Sequence, residues 1–72
     1  MSDLAMRWCY FADYEILIGG KLRVWGQSTI VYSVVDASTF DPADLLRRMR
    51  QQVADEHGVE RDEVRIRCLH RL

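Results

Sequence analysis

Two cysteines and two histidines are the side chains of this sequence best suited to bind a metal or act as nucleophiles. Cys68 and His70 are separated by a single residue in a segment that alternates apolar and basic residues. This spacing places both side chains on one face of a strand. Cys9 points to the opposite face by the same count, and His57 ends a predicted helix. A structural metal site needs three or four converging ligands. We therefore expect neither a metal nor a cofactor.

The cysteine pattern also bears on the cellular compartment. A Cys9–Cys68 disulfide would join opposite faces of one sheet, which its geometry forbids. The N-terminal residues lack the basic region, apolar stretch and cleavage site of a signal peptide. The uncharged apolar-leaning runs 16–20 and 25–35 are shorter than the roughly 20 residues that span a bilayer. We expect a cytoplasmic protein with two free thiols and no membrane association.

Two carboxylates on one strand face, Asp13 and Glu15, have the composition of a general acid–base pair. Such a pair needs a cleft that excludes water, and a domain of 72 residues with one helix offers none that is deep. Pairing across strands with Arg65 and Arg67 accounts for both carboxylates. Neither histidine is expected near Cys9, the thiol on the uncovered face, so no nucleophile and base are predicted to meet. We expect no enzymatic activity.

Arginines in the last predicted strand suggest a second function. Arg65, Arg67 and Arg71 are expected on the uncovered sheet face, where Arg23, Trp25 and Phe11 would join them. Arginines interleaved with aromatic rings form a platform on which single-stranded bases stack. Ten Lys and Arg residues oppose eleven Asp and Glu residues, which leaves little of the charge that drives nucleic-acid affinity. A small nucleic-acid-binding accessory protein is therefore the alternative function.

The elements that position these side chains belong to one small domain, residues 1–72. Its 49% hydrophobic and 29% charged residues are typical of a globular chain. Gly19-Gly20 predicts a hairpin between a strand over Arg7–Ile18 and a strand from about Lys21 to Val35. Gly26 is a candidate bulge in the second strand.

The helix has clear start and stop signals. Asp41 is the predicted N-cap, Pro42 takes the first helical position, and Gly58 is the expected left-handed residue after the last turn. These signals predict a helix over Pro42–His57 with an apolar stripe at helical spacing. The stripe consists of Leu45, Leu46, Met49 and Val53, with His57 as a candidate last member. A last strand follows over 64–72.

The order β-β-α-β leaves two places for the last strand. Beside the first strand it completes an antiparallel sheet of order 2-1-3, and beside the second it forms a parallel pair. The charges of Asp13 and Glu15 opposite Arg65 and Arg67 favour the first arrangement. We predict an α+β fold: a three-stranded antiparallel sheet with one helix on one face. That face is expected to carry Tyr10, Tyr14, Ile16, Leu22, Val24, Ile66 and Cys68.

Strand order 2-1-3 makes the second strand an edge. Residues 29–35 contain neither charge nor proline, whereas monomeric proteins usually protect such edges because unpaired backbone groups recruit another strand. Trp25, Val31 and Val35 add apolar surface of the kind found at interfaces, with Phe11 as a neighbour. The alternative is that residues 1–6 cover this surface.

These features predict a non-enzymatic protein-interaction module, self-associating as a homodimer. A domain this small buries only about 60% of its unfolded surface, and oligomerisation is one common compensation. In size and element order the chain is similar to small proteins of bacteria and phages, some of which inhibit or adapt a larger protein by covering its surface. That is an analogy of scale, and the identity of a partner does not follow from it.

Overall fold

Three antiparallel strands and one helix make up the fold in the computed structural model, which describes residues 6–72. The strands are β1 (Met6–Ile18), β2 (Lys21–Val34) and β3 (Val64–Arg71), and the helix is α1 (Pro42–His57). Short 3-10 turns at Ala37–Thr39 and Arg61–Glu63 precede α1 and β3. The sheet order is β2-β1-β3. The predicted α+β fold with strand order 2-1-3 is confirmed, and its alternative is excluded.

The caps of α1 account for its bounds. The Asp41 carboxylate accepts a hydrogen bond from the backbone N–H of Ala43 at 3.0 Å, which satisfies one of the free amides of the first turn. Gly58 ends the helix with φ 66° and donates its N–H to the Ala54 carbonyl. This left-handed conformation favours glycine. The predicted helix Pro42–His57 is confirmed residue for residue.

The core lies between α1 and the even-numbered residues of β1, in two adjoining clusters. One cluster is formed by Tyr14, Ile16, Val53, Ala54 and Val64. The other is formed by Tyr10, Tyr32, Val34 and Leu45, with Trp8, Ile30, Phe40 and Leu69 packed against it. Full burial of each large aliphatic side chain contributes about 1.5–3 kcal/mol. The apolar period-two pattern of β1 therefore defines the buried face.

A bulge near the hairpin changes the face of Leu22. Ile16 pairs with Val24 but Leu17 pairs with Leu22, so Arg23 is the extra residue. The inserted residue moves Leu22 to the face opposite α1; its predicted place on the helix-covered face is wrong. Gly26 pairs in register with Tyr14, so the bulge predicted there is wrong as well.

A second bulge inverts the end of β3. Asp13 pairs with Cys68 and Tyr14 pairs with Ile66, which leaves Arg67 as the extra residue. Beyond it the alternation is reversed, because an inserted residue shifts every later side chain to the other face. Cys68 therefore lies on the face opposite α1, and its predicted place under the helix is wrong.

The strands of the hairpin are longer than the helix that covers them. The 14 residues of β2 span about 46 Å at strand rise, whereas the 16 residues of α1 span about 24 Å. The turn end of the hairpin therefore projects beyond the helix. Val24 lies on the side of α1 but is 37% exposed, so its predicted coverage by the helix is wrong.

Candidate interaction surface

The sheet face opposite α1, called the open face below, is uncovered by any other element within residues 6–72. Cross-strand partners share a face, so the strand registers define its members. They are Arg7, Cys9, Phe11, Asp13, Glu15, Leu17, Leu22, Trp25, Gln27, Thr29, Val31, Ser33, Arg65, Cys68 and His70. The alternative that residues 1–6 cover this surface falls on Met1–Ala5 and on the Met6 side chain, which lie outside the described part of the chain.

The carboxylates of the open face are already partnered. Glu15 accepts hydrogen bonds from Arg65 Nη2 at 3.0 Å and from Arg67 Nη1 at 3.3 Å, which confirms the predicted pairing. Asp13 instead accepts from Gln27 Nε2 at 3.0 Å, because the bulge places Cys68 opposite it. Its predicted pairing with an arginine is wrong. The two arginine side chains are each 64% exposed, so these ion pairs contribute little stability.

Arg71 lies on the helix side of the sheet. It pairs with Tyr10, and its guanidinium carbon is 5.0 Å from the ring centroid of Trp8. The second bulge causes this placement. The prediction that Arg71 joins Arg65 and Arg67 on the open face is therefore wrong.

The three most exposed hydrophobic side chains of this region lie along β2 or directly after it. Trp25 is 72% exposed, Val31 is 60% exposed, and Val35, which directly follows the strand, is 70% exposed. At strand rise, Val31 is about 20 Å from Trp25 and about 13 Å from Val35. They form a row along the edge of the sheet, not one compact patch. Phe11 pairs with Thr29 on the open face and is half-buried, so it lies next to the middle of this row.

The backbone of β2 turns alternate hydrogen-bonding groups to the free edge. The N–H of Leu72 donates to the Cys9 carbonyl at 2.8 Å, so the backbone groups of Cys9 point toward β3. Val31, the partner of Cys9 in β2, must then direct its N–H and C=O away from β1. The same alternation applies to Gln27, Thr29 and Ser33. These residues place backbone groups at the edge and side chains on the open face.

One position of this edge is protected. Gln52 of α1 donates its side-chain amide to the Thr29 carbonyl at 2.7 Å and to Ser28 Oγ at 2.9 Å. The protection that the sequence suggested at Gly26 is thus provided by a helix side chain. No other element pairs with the edge of β2 within residues 6–72.

The edge strand is tied to the start of α1 through a buried tyrosine. The Tyr32 hydroxyl donates to Asp44 at 2.8 Å, and Asp44 also pairs with Arg47 and with Arg48 Nε at 3.0 Å. Hydrogen bonds from Tyr32 and Arg47 lower the pKa of Asp44. The hydrogen bond to the Asp44 carboxylate raises the pKa of Tyr32. Charge and packing both hold the second half of β2 in place.

Both cysteines are free thiols on the open face. Their predicted separation onto opposite faces is wrong because of the second bulge. Cys68 lies opposite Asp13, four residues along β1 from Cys9, so about 13 Å of strand separates the two. That span, not the face, prevents a disulfide. Cys68 Sγ contacts His70 Nε2 at 2.9 Å, so the prediction that no thiol and base meet on this face is wrong.

The described residues 6–72 contain neither a cluster of metal ligands nor a membrane-spanning helix. No group of three or more His, Cys, Asp and Glu side chains in this range is arranged to hold a metal ion. No helix among these residues is both long and apolar enough to cross a bilayer.

A shallow depression of about 480 Å³ lies on the open face between Trp25 and Arg67. Asp13, Glu15 and Cys68 also line it. Glu15 is engaged by two arginines and Asp13 by Gln27, so both carboxylates that line the depression already have partners. The depression offers contact surface for a partner.

Comparison with protein-family models, curated proteins and solved structures gives no match. The bulges are the features of the site that sequence analysis missed. The alternation of the sequence does not reveal them, because Arg23 and Arg67 both occupy regular polar positions between apolar residues.

Proposed function

We propose that this chain is a protein-interaction module that acts without catalysis, and that it binds a second copy of itself by adding strand to strand along β2. The observation that supports this most strongly is the free edge around Val31. There, outward backbone groups, exposed apolar side chains and the absence of charge coincide. Strand addition uses these three properties, with backbone hydrogen bonds for affinity and side chains for specificity.

The energetic argument rests on the cost of leaving such an edge in water. Exposed edges of monomeric proteins usually carry lysine, proline or a bulge. In β2 the bulge lies at Arg23, outside the segment 27–35, and Gln52 occupies a single acceptor. The remaining backbone groups and the row of Trp25, Val31 and Val35 are available to a partner.

The alternative functions have less support. Nucleic-acid binding was suggested by three arginines on one face, but Arg71 lies on the other side and Glu15 pairs with both Arg65 and Arg67. An enzymatic role also has less support, because Asp13 and Glu15 are engaged by other side chains and the contact between Cys68 and His70 is exposed to solvent. The cytoplasm is the compartment we propose, since both cysteines are free thiols.

Light scattering coupled to size-exclusion chromatography tests the proposal. The unaltered chain is expected to show a concentration-dependent mass that approaches a dimer at high micromolar concentration. Val31→Lys places a charge in the middle of the edge and shifts the chain to monomer. Leu72→Lys is the matched control, because Leu72 is 73% exposed but follows β3 at the opposite margin of the sheet.

Each cross-strand side-chain pair contributes about 0.2–1 kcal/mol. Val31 is 60% exposed and forms such a pair twice in a dimer, so Val31→Lys is expected to cost about 1–2 kcal/mol, or about 5- to 30-fold in Kd. A strictly monomeric chain at high micromolar concentration would refute self-association. If Val31→Lys and Leu72→Lys weaken dimerisation equally, the contact lies on the open face and not at the edge of β2.

A further inference from the structure

The exposed side chains of β2 point to a particular register of the self-pairing, an inference that rests on the proposed function. Only residues with outward backbone groups can form ladder hydrogen bonds with a second copy. These are the odd-numbered residues of 25–33, by the alternation established at Cys9 and Val31. A two-fold axis then allows only registers in which odd residues pair with odd residues.

We propose that the β2 strands of two copies pair antiparallel, with Ile30 of one copy facing Ile30 of the other. The numbers of any two facing residues then add up to 60. In this register Thr29 faces Val31 of the second copy, and Gln27 faces Ser33. At the ends, Trp25 faces Val35. Two three-stranded sheets thereby become one sheet of six strands.

This register is selected by the exposed apolar residues. In one copy, Trp25 and Val35 are separated by about 33 Å of strand and cannot shelter each other. Pairing about Ile30 brings them together twice, once at each end of the interface. A shift to pairing about Thr29 places Trp25 opposite Ser33 and Val35 opposite Arg23, and a shift to Val31 places Val35 opposite Gln27. Both shifts leave the tryptophan without its apolar partner.

The charged residues that flank the segment 25–35 favour the same register. Asp36 follows β2, and Arg23 lies at its bulged end. Pairing about Ile30 brings the end of β2 in one copy, where Asp36 begins the next turn, close to Arg23 of the other copy. Opposite charges on neighbouring cross-strand positions are favourable. Hydrogen bonds from Ser38 lower the pKa of Asp36, so its carboxylate remains charged at neutral pH.

Gln52 is compatible with this arrangement. Its amide occupies the Thr29 carbonyl, which in the proposed register also accepts the N–H of Val31 from the second copy. A carbonyl oxygen has two lone pairs and accepts both. The two-fold interface therefore requires no movement of α1.

Cross-linking between single-cysteine variants tests the register. Cys9 and Cys68 are first replaced by serine, and Gln27→Cys, Ser33→Cys and Val31→Cys are then made separately in that background. Directly paired residues have Cα atoms about 5.5 Å apart, within disulfide range. Mixing the Gln27→Cys and Ser33→Cys chains under mild oxidation is expected to give a covalent dimer on non-reducing gels, at least five times the yield of either chain alone.

The control mixture joins Gln27→Cys with Val31→Cys, which pair only if the strands are shifted by two residues. A higher yield from this mixture would overturn the proposed register while leaving strand addition at β2 intact. If no mixture cross-links although light scattering shows a dimer, the contact is elsewhere and both proposals fail. A circular-dichroism melt of each variant confirms that it is folded.

Discussion

Gly26 is the residue of β2 where the structure predicts the sharpest response to one added methyl group. A Cβ built there would lie 2.8 Å from Tyr14 Oη and 3.1 Å from Tyr14 Cζ. The tyrosine has little freedom to withdraw. It is 7% exposed within the core cluster, and its hydroxyl contacts His57 Nε2 at 2.8 Å. We expect Gly26→Ala to force the Tyr14 ring away from the helix terminus.

The magnitude is the balance of two effects. Overpacking of a filled site costs about 1–3 kcal/mol, whereas replacing glycine by alanine restricts the unfolded chain and restores about 0.4–1 kcal/mol. The net loss in free energy of unfolding is then about 1–2 kcal/mol. For a domain of this size that lowers Tm by about 4–8 °C for each kcal/mol. Urea unfolding at low micromolar protein concentration measures the loss without a contribution from self-association.

A double-mutant cycle with Tyr14→Phe isolates the contact. Removal of the hydroxyl abolishes the 2.8 Å approach and leaves the 3.1 Å contact, which a small ring shift relieves. In the Tyr14→Phe background, Gly26→Ala is therefore expected to leave the free energy of unfolding nearly unchanged. The coupling energy between the two positions is then about 1 kcal/mol or more. If Gly26→Ala lowers the free energy of unfolding equally in the unaltered and the Tyr14→Phe backgrounds, the clash with Tyr14 is not the cause of the loss. That result would refute the reasoning.

Two further predictions concern α1. Asp41→Ala removes the N-cap bond to Ala43 and is expected to cost about 0.5–2 kcal/mol in urea unfolding, whereas Asp41→Ser keeps an acceptor and costs less. Asp44 has a folded pKa below its usual 3.8, so it stabilises the fold above that value and loses this effect as pH falls through the folded pKa. Asp44→Asn is therefore expected to flatten the fall in stability between pH 7 and 2; an unchanged slope would contradict the assignment.

Local signals in the sequence predicted the elements and their order. Asp41, Pro42 and Gly58 are sufficient to delimit α1 because caps act through hydrogen bonds and backbone angles within a few residues. Gly19-Gly20 marked the hairpin for the same reason. Strand order 2-1-3 followed from charge, since Glu15 pairs with Arg65 and Arg67 as expected. The exposed row of Trp25, Val31 and Val35 was also predicted correctly as lying on or beside an edge strand.

Tertiary structure alone decided which side chains share the open face. Two inserted residues, Arg23 and Arg67, reverse the period-two count, and they moved Leu22 and Cys68 to the open face. A bulge is set by how two strands pair and twist, so it is weakly encoded in either strand alone. The protection of Thr29 by Gln52 joins residues 23 positions apart, and only packing of the helix on the sheet brings them together. The sequence by itself thus determined the elements, their order and the exposed edge, and the pairing of the strands decided the chemistry of the face.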